Sequence, residues 1–555
     1  MAFPRLLTAD AAAALIPDGA VVTVSSSSGL GCPDAMLAAV GRRFEREGRP
    51  RDITTIHPIA AGDVYGINGI DHLAQAGLLA RIIAGSYPSG PSSREPPLIW
   101  QMVTGNRIPA YNVPSGILFD LHREAAAKRP GVLTKVGLDT FVDPEREGCA
   151  MNARAAAQPI VQKIDFAGET WLFFPTLAPS VAIIRATTAD ERGNLSYEHE
   201  GGYLGPLDQA LAVRNNGGLV IAQVKRLAQS GSLKPLHVHV PGVLVDAIVV
   251  VPDQMQTTQT AYEPAISGEV FRPLSSFEIP AFGIQKVIAR RVAQELRYGD
   301  AVNIGFGISA NVPRILIEEG RHGDVTWVIE QGAVGGVPLL DFQFGCASNA
   351  EAMMPSPQQF TYFQGGGFDA SLLSFLQIDR QGCVNVSKLG ARPHVTAGAG
   401  GFIDITARAK RIVFSGFFTA GAAIAVEGGK VAITREGKVR KLVDRVEHVS
   451  FSGARALAQG QDVTYVTERC VMKLTPAGVA ITEIAPGIDL DRDVLAQADF
   501  PLVVPRPPHA MDAALFRPEV FGLDTRLDAT RTGEAALPQV EDPQLSEFPA
   551  FATSR

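Results

Sequence analysis

An α/β protein built from two similar open α/β halves is the fold this sequence predicts. The chain has 555 residues, 46% of them hydrophobic and 19% charged, so at about 150 residues per domain it holds more than one core. A strand, a small-residue loop and a helix follow one another near the start, and the same succession returns past the middle. Later segments repeat in the same order. Strand–loop–helix units recur by chance in any α/β chain, but separate matches in one order point to a duplicated unit.

The first copy opens with Asp18-Gly19-Ala20 and the apolar strand Val21-Val22-Thr23-Val24. The loop Ser25 to Gly31 follows, and Pro33 opens a helical pattern carrying Met36, Leu37 and Val40. In the second copy Gly299-Asp300 precedes the strand Ala301-Val302-Asn303-Ile304, then Gly305-Phe306-Gly307-Ile308-Ser309, and Pro313 opens a helix through Ile315, Leu316 and Ile317. Arg51 to His57 then parallels Gly323 to Glu330, Ala189 to Asn194 parallels Ile378 to Cys383, and Val224 to Leu227 parallels Ala409 to Ile412. The boundary falls in Pro252 to Pro280, rich in Gln, Thr, Ser and Pro and without periodicity. The expected organisation is a first domain at 1–270, a second at 271–520, and a tail at 521–555. Pro501, Pro505, Pro507, Pro508, Pro518, Pro538, Pro543 and Pro549 are too many for helix interiors, so the C-terminal segment is expected to be an extended, wrapping or partly disordered tail.

Composition removes several functions. Lys and Arg number 50 against 57 Asp and Glu, a formal charge of -7, and no Lys/Arg block marks a nucleic-acid footprint. The cysteines Cys32, Cys149, Cys346, Cys383 and Cys470 are odd in number and widely spaced, which fits neither a disulfide framework nor a thiolate zinc site. The apolar run Ala11 to Ile16 is cut by Pro17-Asp18, and no later run approaches about 18 apolar residues, so no membrane span is expected. A cytoplasmic protein in a reducing compartment follows. His237-Val238-His239 offers two imidazoles on one strand face, but without a third ligand it reads as solvent-facing alternation, and no metal site is expected. Motifs for a serine hydrolase or a P-loop ATPase are missing.

Two chemistries compete around Glu330. Gly305-x-Gly307-x-x-Ala310 follows a strand and precedes a helix, with Glu330 about 20 residues further on, which is the pattern of an NAD-dependent oxidoreductase. However, Gln331-Gly332-Ala333-Val334-Gly335-Gly336-Val337-Pro338 places the carboxylate on a long small-residue loop, with room for a large ligand to reach the acid itself. Two further glycine clusters, Phe363 to Asp369 and Thr396 to Asp404, let backbone N–H groups approach an extended anionic ligand. Cys32 lies in the first-half loop, where a buried packing role outweighs a nucleophilic one.

Val328-Ile329-Glu330-Gln331-Gly332, Phe363 to Asp369, Val384-Asn385-Val386-Ser387-Lys388 and Gly398 to Asp404 resemble segments of the class I coenzyme A transferases. Ile108 to Gly116, Leu133 to Leu138 and Thr188 to Asn194 extend the resemblance into the first half, so that it covers roughly residues 5 to 515 in order. The nearest branch is the single-chain acetate/propionate/3-ketoacid type. The resemblance implies two open α/β domains with the active site in the cleft between them, and Glu330 as nucleophile. It also implies an oxyanion loop at Gly400 and Gly401 with Gly29 and Leu30 from the first half, and CoA contacts at Gly305, Gly307, Gly366, Gly367, Asn385 and Lys388. Ser115 and Gly116 fall in the acid-substrate pocket. An acyl-CoA and a small carboxylic acid are the implied substrates, with coenzyme A a substrate rather than a cofactor, no other cofactor, and a homo-oligomer (dimer or tetramer) as the assembly.

This chain departs from that family at two places. The first-half loop reads Ser26-Ser27-Ser28-Gly29-Leu30-Gly31-Cys32-Pro33 instead of a glycine- and aromatic-rich one. A P-Q-G turn becomes Pro114-Ser115-Gly116, a short hydroxyl in place of a long amide. Acid specificity is where these changes are expected to tell.

Overall fold

Each half carries its own parallel sheet. The computed structural model describes residues 3–89, 96–505, 507–523 and 527. In the first sheet the strands run in the order Arg5–Leu7, Ala247–Val250, Leu219–Ala228, Val181–Asp190, Val21–Val24, Ile53–His57, Leu79–Ala84 and Ala110–Asn112, and each neighbouring pair along this order is parallel. Leu195–Ser196 folds back antiparallel on Val181–Asp190. Val181–Asp190 is buried along its whole length, as a central strand covered on both faces must be.

In the second sheet the order is Thr326–Trp327, Ala301–Ile304, Ala370–Ser374, Arg411–Ser415 and Asp462–Val466, all parallel, followed by Cys470–Thr475 and Gly478–Ile484, each antiparallel to the strand before it. The repeat read from the sequence is visible here as topology. Val22 pairs with Val181 and with Thr55 on its other side, and Val302 pairs with Ala370 and with Trp327 in the same way. Pro33 and Pro313 do open helices, Asp34–Glu47 and Val312–Glu318.

The halves are welded by a shared core. Helix Ser115–Ala126 of the first half packs on Ser356–Gly365 of the second, with the Phe119 and Phe360 rings 5.5 Å apart. Ile117, Phe119, Phe360, Phe363 and Phe402 belong to one buried cluster, and each such side chain contributes about 1.5–3 kcal/mol of burial. The segment between the halves holds only the single-turn helix Leu274–Ser276, yet it is tied down. Asn349 donates to the Ala265 carbonyl (3.2 Å), and Gln343 donates to Thr260 Oγ1 (2.8 Å).

His509–Ala510 adds a short parallel strand beside Gly478–Ile484, while Met511, Leu515, Phe516, Phe521 and Leu523 enter the second half's core. Up to Leu523 the segment therefore lies against the second half. Pro538, Pro543 and Pro549 lie outside the described residues. His237-Val238-His239 is not a strand: Pro235–His237 forms a tight helical turn, and His239 stacks on Tyr203 with ring centres 4.3 Å apart. Among the described residues no helix is long and apolar enough to cross a membrane.

Candidate active site

Glu330 stands at the C-terminal edge of the second parallel sheet, where open α/β folds bind ligands. Past the strand Thr326–Trp327, the Val328 N–H still bonds the Val302 carbonyl (2.9 Å) and the Ile329 N–H bonds the Ala333 carbonyl (2.9 Å), so Glu330 occupies the tip of a tight turn. The residues after it form an ordered arm, which replaces the open loop expected from the sequence. Ala333–Val334 pairs with Ala352–Met353, and Val337–Pro338 pairs with Ala347–Ser348. Gly332 backs this turn with φ +118 and its Cα against the Met354 carbonyl, a place that no side chain fits.

The Gly401 N–H donates to the Glu330 carboxylate, and a Cβ at Gly401 would collide with a Glu330 oxygen. Gln331 Nε2 lies 3.3 Å from Glu330 Oε1 and 3.0 Å from Ser27 Oγ, which carries the contact across to the first half. Burial pushes the Glu330 carboxyl up to about 7, with the Gly401 N–H pulling the other way, and no Lys or Arg among the described residues acts on it. The cleft thus holds a carboxylate that is poorly solvated, lightly hydrogen-bonded and uncompensated by a cation, all of which favour nucleophilicity.

The glycine loop facing Glu330 is pinned to the strand ends of the first half. Tyr87 N–H donates to the Ala397 carbonyl (2.7 Å), Gly400 N–H to the Gly85 carbonyl (2.8 Å), and Ser115 N–H to the Gly400 carbonyl (3.0 Å). Ala399 N–H donates to Asn112 Oδ1 (2.8 Å) and Gly116 N–H to Asp404 Oδ2 (3.0 Å). Of the expected oxyanion donors, Gly400 has its N–H engaged by Gly85, while Gly401 faces the carboxylate. Leu30 has its N–H engaged as well. It closes a tight turn by bonding the Ser27 carbonyl (2.9 Å), with Gly29 at the tip against the Thr258 hydroxyl and the Leu30 side chain in an apolar cluster with Leu204 and Ile266.

Gly305 and Gly307 sit beyond the strand next to the one that ends in Glu330, in a loop where Ser374 Oγ donates to the Phe306 carbonyl (2.8 Å). Gly366 and Gly367 instead finish the helix Ser356–Gly365, Gly366 in the left-handed cap position against Arg408 and Gly367 against the Tyr362 ring. Asn385 is buried and shapes its own turn, donating to Gln377 Oε1 and the Lys388 carbonyl (both 2.8 Å). Lys388 Nζ reaches across to the Met151 carbonyl (3.3 Å) and lines a cavity between the halves with Arg146 and Asn152. Ser115 is fully buried, its Oγ without a hydrogen-bond partner. Cys32 is also buried, which together with Asp34 holds its thiol well above the ordinary range and leaves no thiolate.

Asp404 lies in the short helix Phe402–Thr406 that follows the glycine run. It is fully buried, accepts from Gly116 N–H and from Gln364 Nε2 (3.0 Å), and has its carboxyl pushed up to about 7, by burial first, with the charges of Asp120 and Glu330 adding to it. Gln331, Ser27, Asn112 and Gln364 complete the site. The acid in the first turn after a glycine run was a signal that could have found Asp404. The contacts between halves had none.

Two parallel sheets thus meet at a partly buried carboxylate beside a backbone donor, with no Lys or Arg among the described residues acting on it. The family described as Coenzyme A transferase matches residues 6–251. The caffeate CoA-transferase of Acetobacterium woodii is 40% identical over 531 residues, covering 94% of this chain and 99% of that protein. The acetate CoA-transferase YdiF of Escherichia coli K12 is 36% identical over 521 residues, 93% of this chain and 96% of that one. The crystal structure of acyl-CoA transferase YdiF from E. coli O157:H7, as a thioester complex with CoA, matches with a TM-score of 0.85 at 34% identity, covering 94% and 97% of the two chains. This chain belongs to the coenzyme A transferase family and is an enzyme that moves CoA between an acyl-CoA and a carboxylate. The oxidoreductase expectation is thereby corrected. Gly305-x-Gly307-x-x-Ala310 leads into a tight turn at Ile308–Asn311 instead of directly into an α-helix, and Glu330 turns to Gly401.

Proposed function

We propose that CoA transfer here is ping-pong, with Glu330 as covalent nucleophile. The observation that carries this reading is the Glu330 carboxylate set against the Gly401 N–H with no cation to neutralise it. A carboxylate oxygen attacks the thioester carbonyl, the C–S bond breaks, and CoA thiolate leaves an acyl-glutamyl anhydride. The thiolate then attacks the glutamyl carbonyl, releasing the first carboxylate and forming a glutamyl-CoA thioester, and the second acid enters by the reverse route. No proton, electron or metal has to be supplied. An anhydride or thioester keeps the free energy of the acyl–sulfur bond, whereas a serine ester would dissipate it. The Gly401 N–H that meets the carboxylate is placed to meet the oxyanion, and one such donor is typically worth about 3 kcal/mol.

In this reading Gly305, Gly307 and Lys388 contact CoA, Asn385 shapes the Lys388 turn, and the unpartnered Ser115 hydroxyl beside Gly116 meets the acid. The enzyme needs no resident cofactor and works as a homo-oligomer. Acyl-CoA followed by borohydride, which reduces a thioester but not a carboxylate, is expected to inactivate the enzyme and shift the mass of the peptide containing Glu330. Loss without acyl-CoA, no loss at all, or a label on Cys32 overturns the carboxylate route. The attacking form is ionised, and burial holds the Glu330 carboxyl at about 7. Hence kcat/KM for acyl-CoA is expected to fall about tenfold per pH unit below 7 and to level off above it, read from a profile between about pH 5.5 and 8.5.

A further inference from the structure

Lys441 carries a cation that has no part in the chemistry above. It lies between the short strands Val439–Arg440 and Leu442–Val443, and its carbonyl accepts from the Ile378 N–H (2.8 Å). Its Nζ stands 4.1 Å from the centre of the Phe375 ring, and a Cβ at Gly416 would come 3.1 Å from Nζ. Phe375 and Gly416 are the first residues past the parallel strands Ala370–Ser374 and Arg411–Ser415. The ammonium therefore sits at the same edge of the second sheet as Glu330, the edge where open α/β folds bind ligands.

Its surroundings leave the charge without a dedicated counter-ion. The carboxylate that acts on it is Glu468, and Glu468 is already engaged, by Arg469 Nε at Oε1 (3.0 Å) and by the Phe418 N–H at Oε2 (2.9 Å). Crowding by protein pushes the ammonium down to about 8, with Glu468 pulling the other way. A cation so placed is costly unless something pairs with it. Lys441 is only partly buried, so its side chain keeps open surface toward solvent.

The position also falls between the two groups of residues given above to CoA. On one side Ser374 bonds the Phe306 carbonyl and lies against Gly307. On the other, the Leu376 N–H donates to the Asn385 carbonyl (2.9 Å), and Asn385 shapes the Lys388 turn. Phe375, under the ammonium, joins the two. Along the edge the strand leading to Glu330 comes first, then Ala301–Ile304, Ala370–Ser374 and Arg411–Ser415. At about 4.8 Å for each strand step, Phe375 lies about 10 Å and Gly416 about 14 Å from Glu330. The pantetheine arm between the CoA sulfur and its first phosphate is about four peptide units long, about 14 Å when extended.

We propose that the Lys441 ammonium binds a phosphate of CoA, anchoring the nucleotide end while the sulfur meets Glu330. The reach rests on Glu330 as the reacting carboxylate.

The test uses three donors with propionate as acceptor: acetyl-CoA, acetyl-dephospho-CoA, which lacks the 3′-phosphate, and acetylpantetheine, which lacks every phosphate. The full-length enzyme is compared with its Lys441→Met and Lys441→Gln variants, and thermal unfolding confirms that each is folded. Both variants are expected to lower kcat/KM for acetyl-CoA about tenfold or more and to leave that for acetylpantetheine unchanged. A loss shared with acetyl-dephospho-CoA upholds the proposal and assigns the diphosphate, and a loss confined to acetyl-CoA upholds it and assigns the 3′-phosphate. Equal losses with all three donors overturn it, leaving Lys441 a packing residue over Phe375, and so does no loss with any. Borohydride trapping separates this from the nucleophile. If Glu330 stays unlabelled while the donor ratios shift, the Glu330 reading falls and the phosphate contact stands, and if Glu330 is labelled while the ratios hold, the reverse is true.

Discussion

Glu330→Gln is expected to lower CoA transfer by at least about 10³-fold while leaving the protein about as stable as before near pH 4 and more stable at pH 8. The amide keeps the shape and the place beside Gly401 but cannot form the anhydride. The stability change follows from burial. The carboxyl ionises at about 7 in the folded protein against 4.5 as its ordinary value, so the folded state holds the proton more tightly than the unfolded one. Stability from this group is therefore greatest below about pH 4.5 and is lost as pH rises to about 7, after which the loss is constant. Glutamine carries no charge and escapes that loss. Glu330→Asp is expected to be severely impaired as well, since one methylene less withdraws the oxygen from reactive distance. Steady-state transfer rates and denaturant unfolding at the two pH values check both parts. More than a few per cent of the rate in Glu330→Gln would remove Glu330 from the chemistry.

Much of this architecture was open to reading because it is written in local pattern. Val21–Val24 and Ala301–Ile304 are short apolar runs bounded by glycine, each followed by a proline-opened helix, and such punctuation survives whatever the tertiary surroundings. Their shared position in the two sheets follows from the duplication. Periodicity reports that a face is buried but not what buries it, so Ser27 meeting Gln331 and Gly116 meeting Asp404 were out of reach. Glycine is ambiguous for a related reason. Gly366 takes the left-handed cap of a helix, and a helix cap and an anion loop ask for the same residue, so the residue alone does not tell them apart. The arm after Glu330 was hidden because its two-residue pairings at Ala333–Val334 and Val337–Pro338 are shorter than any alternation that can be recognised. His237-Val238-His239 alternates like a strand, yet Pro235 and Pro241 frame it as turns.

Gly401→Ala and Gly400→Ala are expected to differ sharply in rate within one loop. Gly401 has φ -85, a conformation alanine adopts without strain, so the backbone does not oppose the change. The added Cβ does. It would meet a Glu330 carboxylate oxygen and lie 2.7 Å from a Phe360 ring carbon. Phe360 is 1% exposed and held between Phe119 and Phe363, so it is the carboxylate that must move, away from its N–H donor. A displacement of about 1 Å costs on the order of 10²-fold in rate, and the weakened donor adds to this. Gly400 is the reverse case. Its φ is +54, while the nearest atom to a Cβ there is Ser86 Cβ at 3.9 Å, so alanine meets ordinary contact but a disfavoured backbone, worth about 1 kcal/mol. Its N–H stays on Gly85. Gly400→Ala is therefore expected to lower unfolding stability by about that amount and the rate by less than tenfold, and Gly401→Ala to lower the rate about 10²-fold or more, with the overpacking against Phe360 costing about 1–3 kcal/mol of stability as well. Transfer rates and denaturant midpoints measured on both variants decide it. If Gly400→Ala proves the slower enzyme, the oxyanion donor is Gly400 after a rearrangement of its bond to Gly85, and the assignment of Gly401 falls.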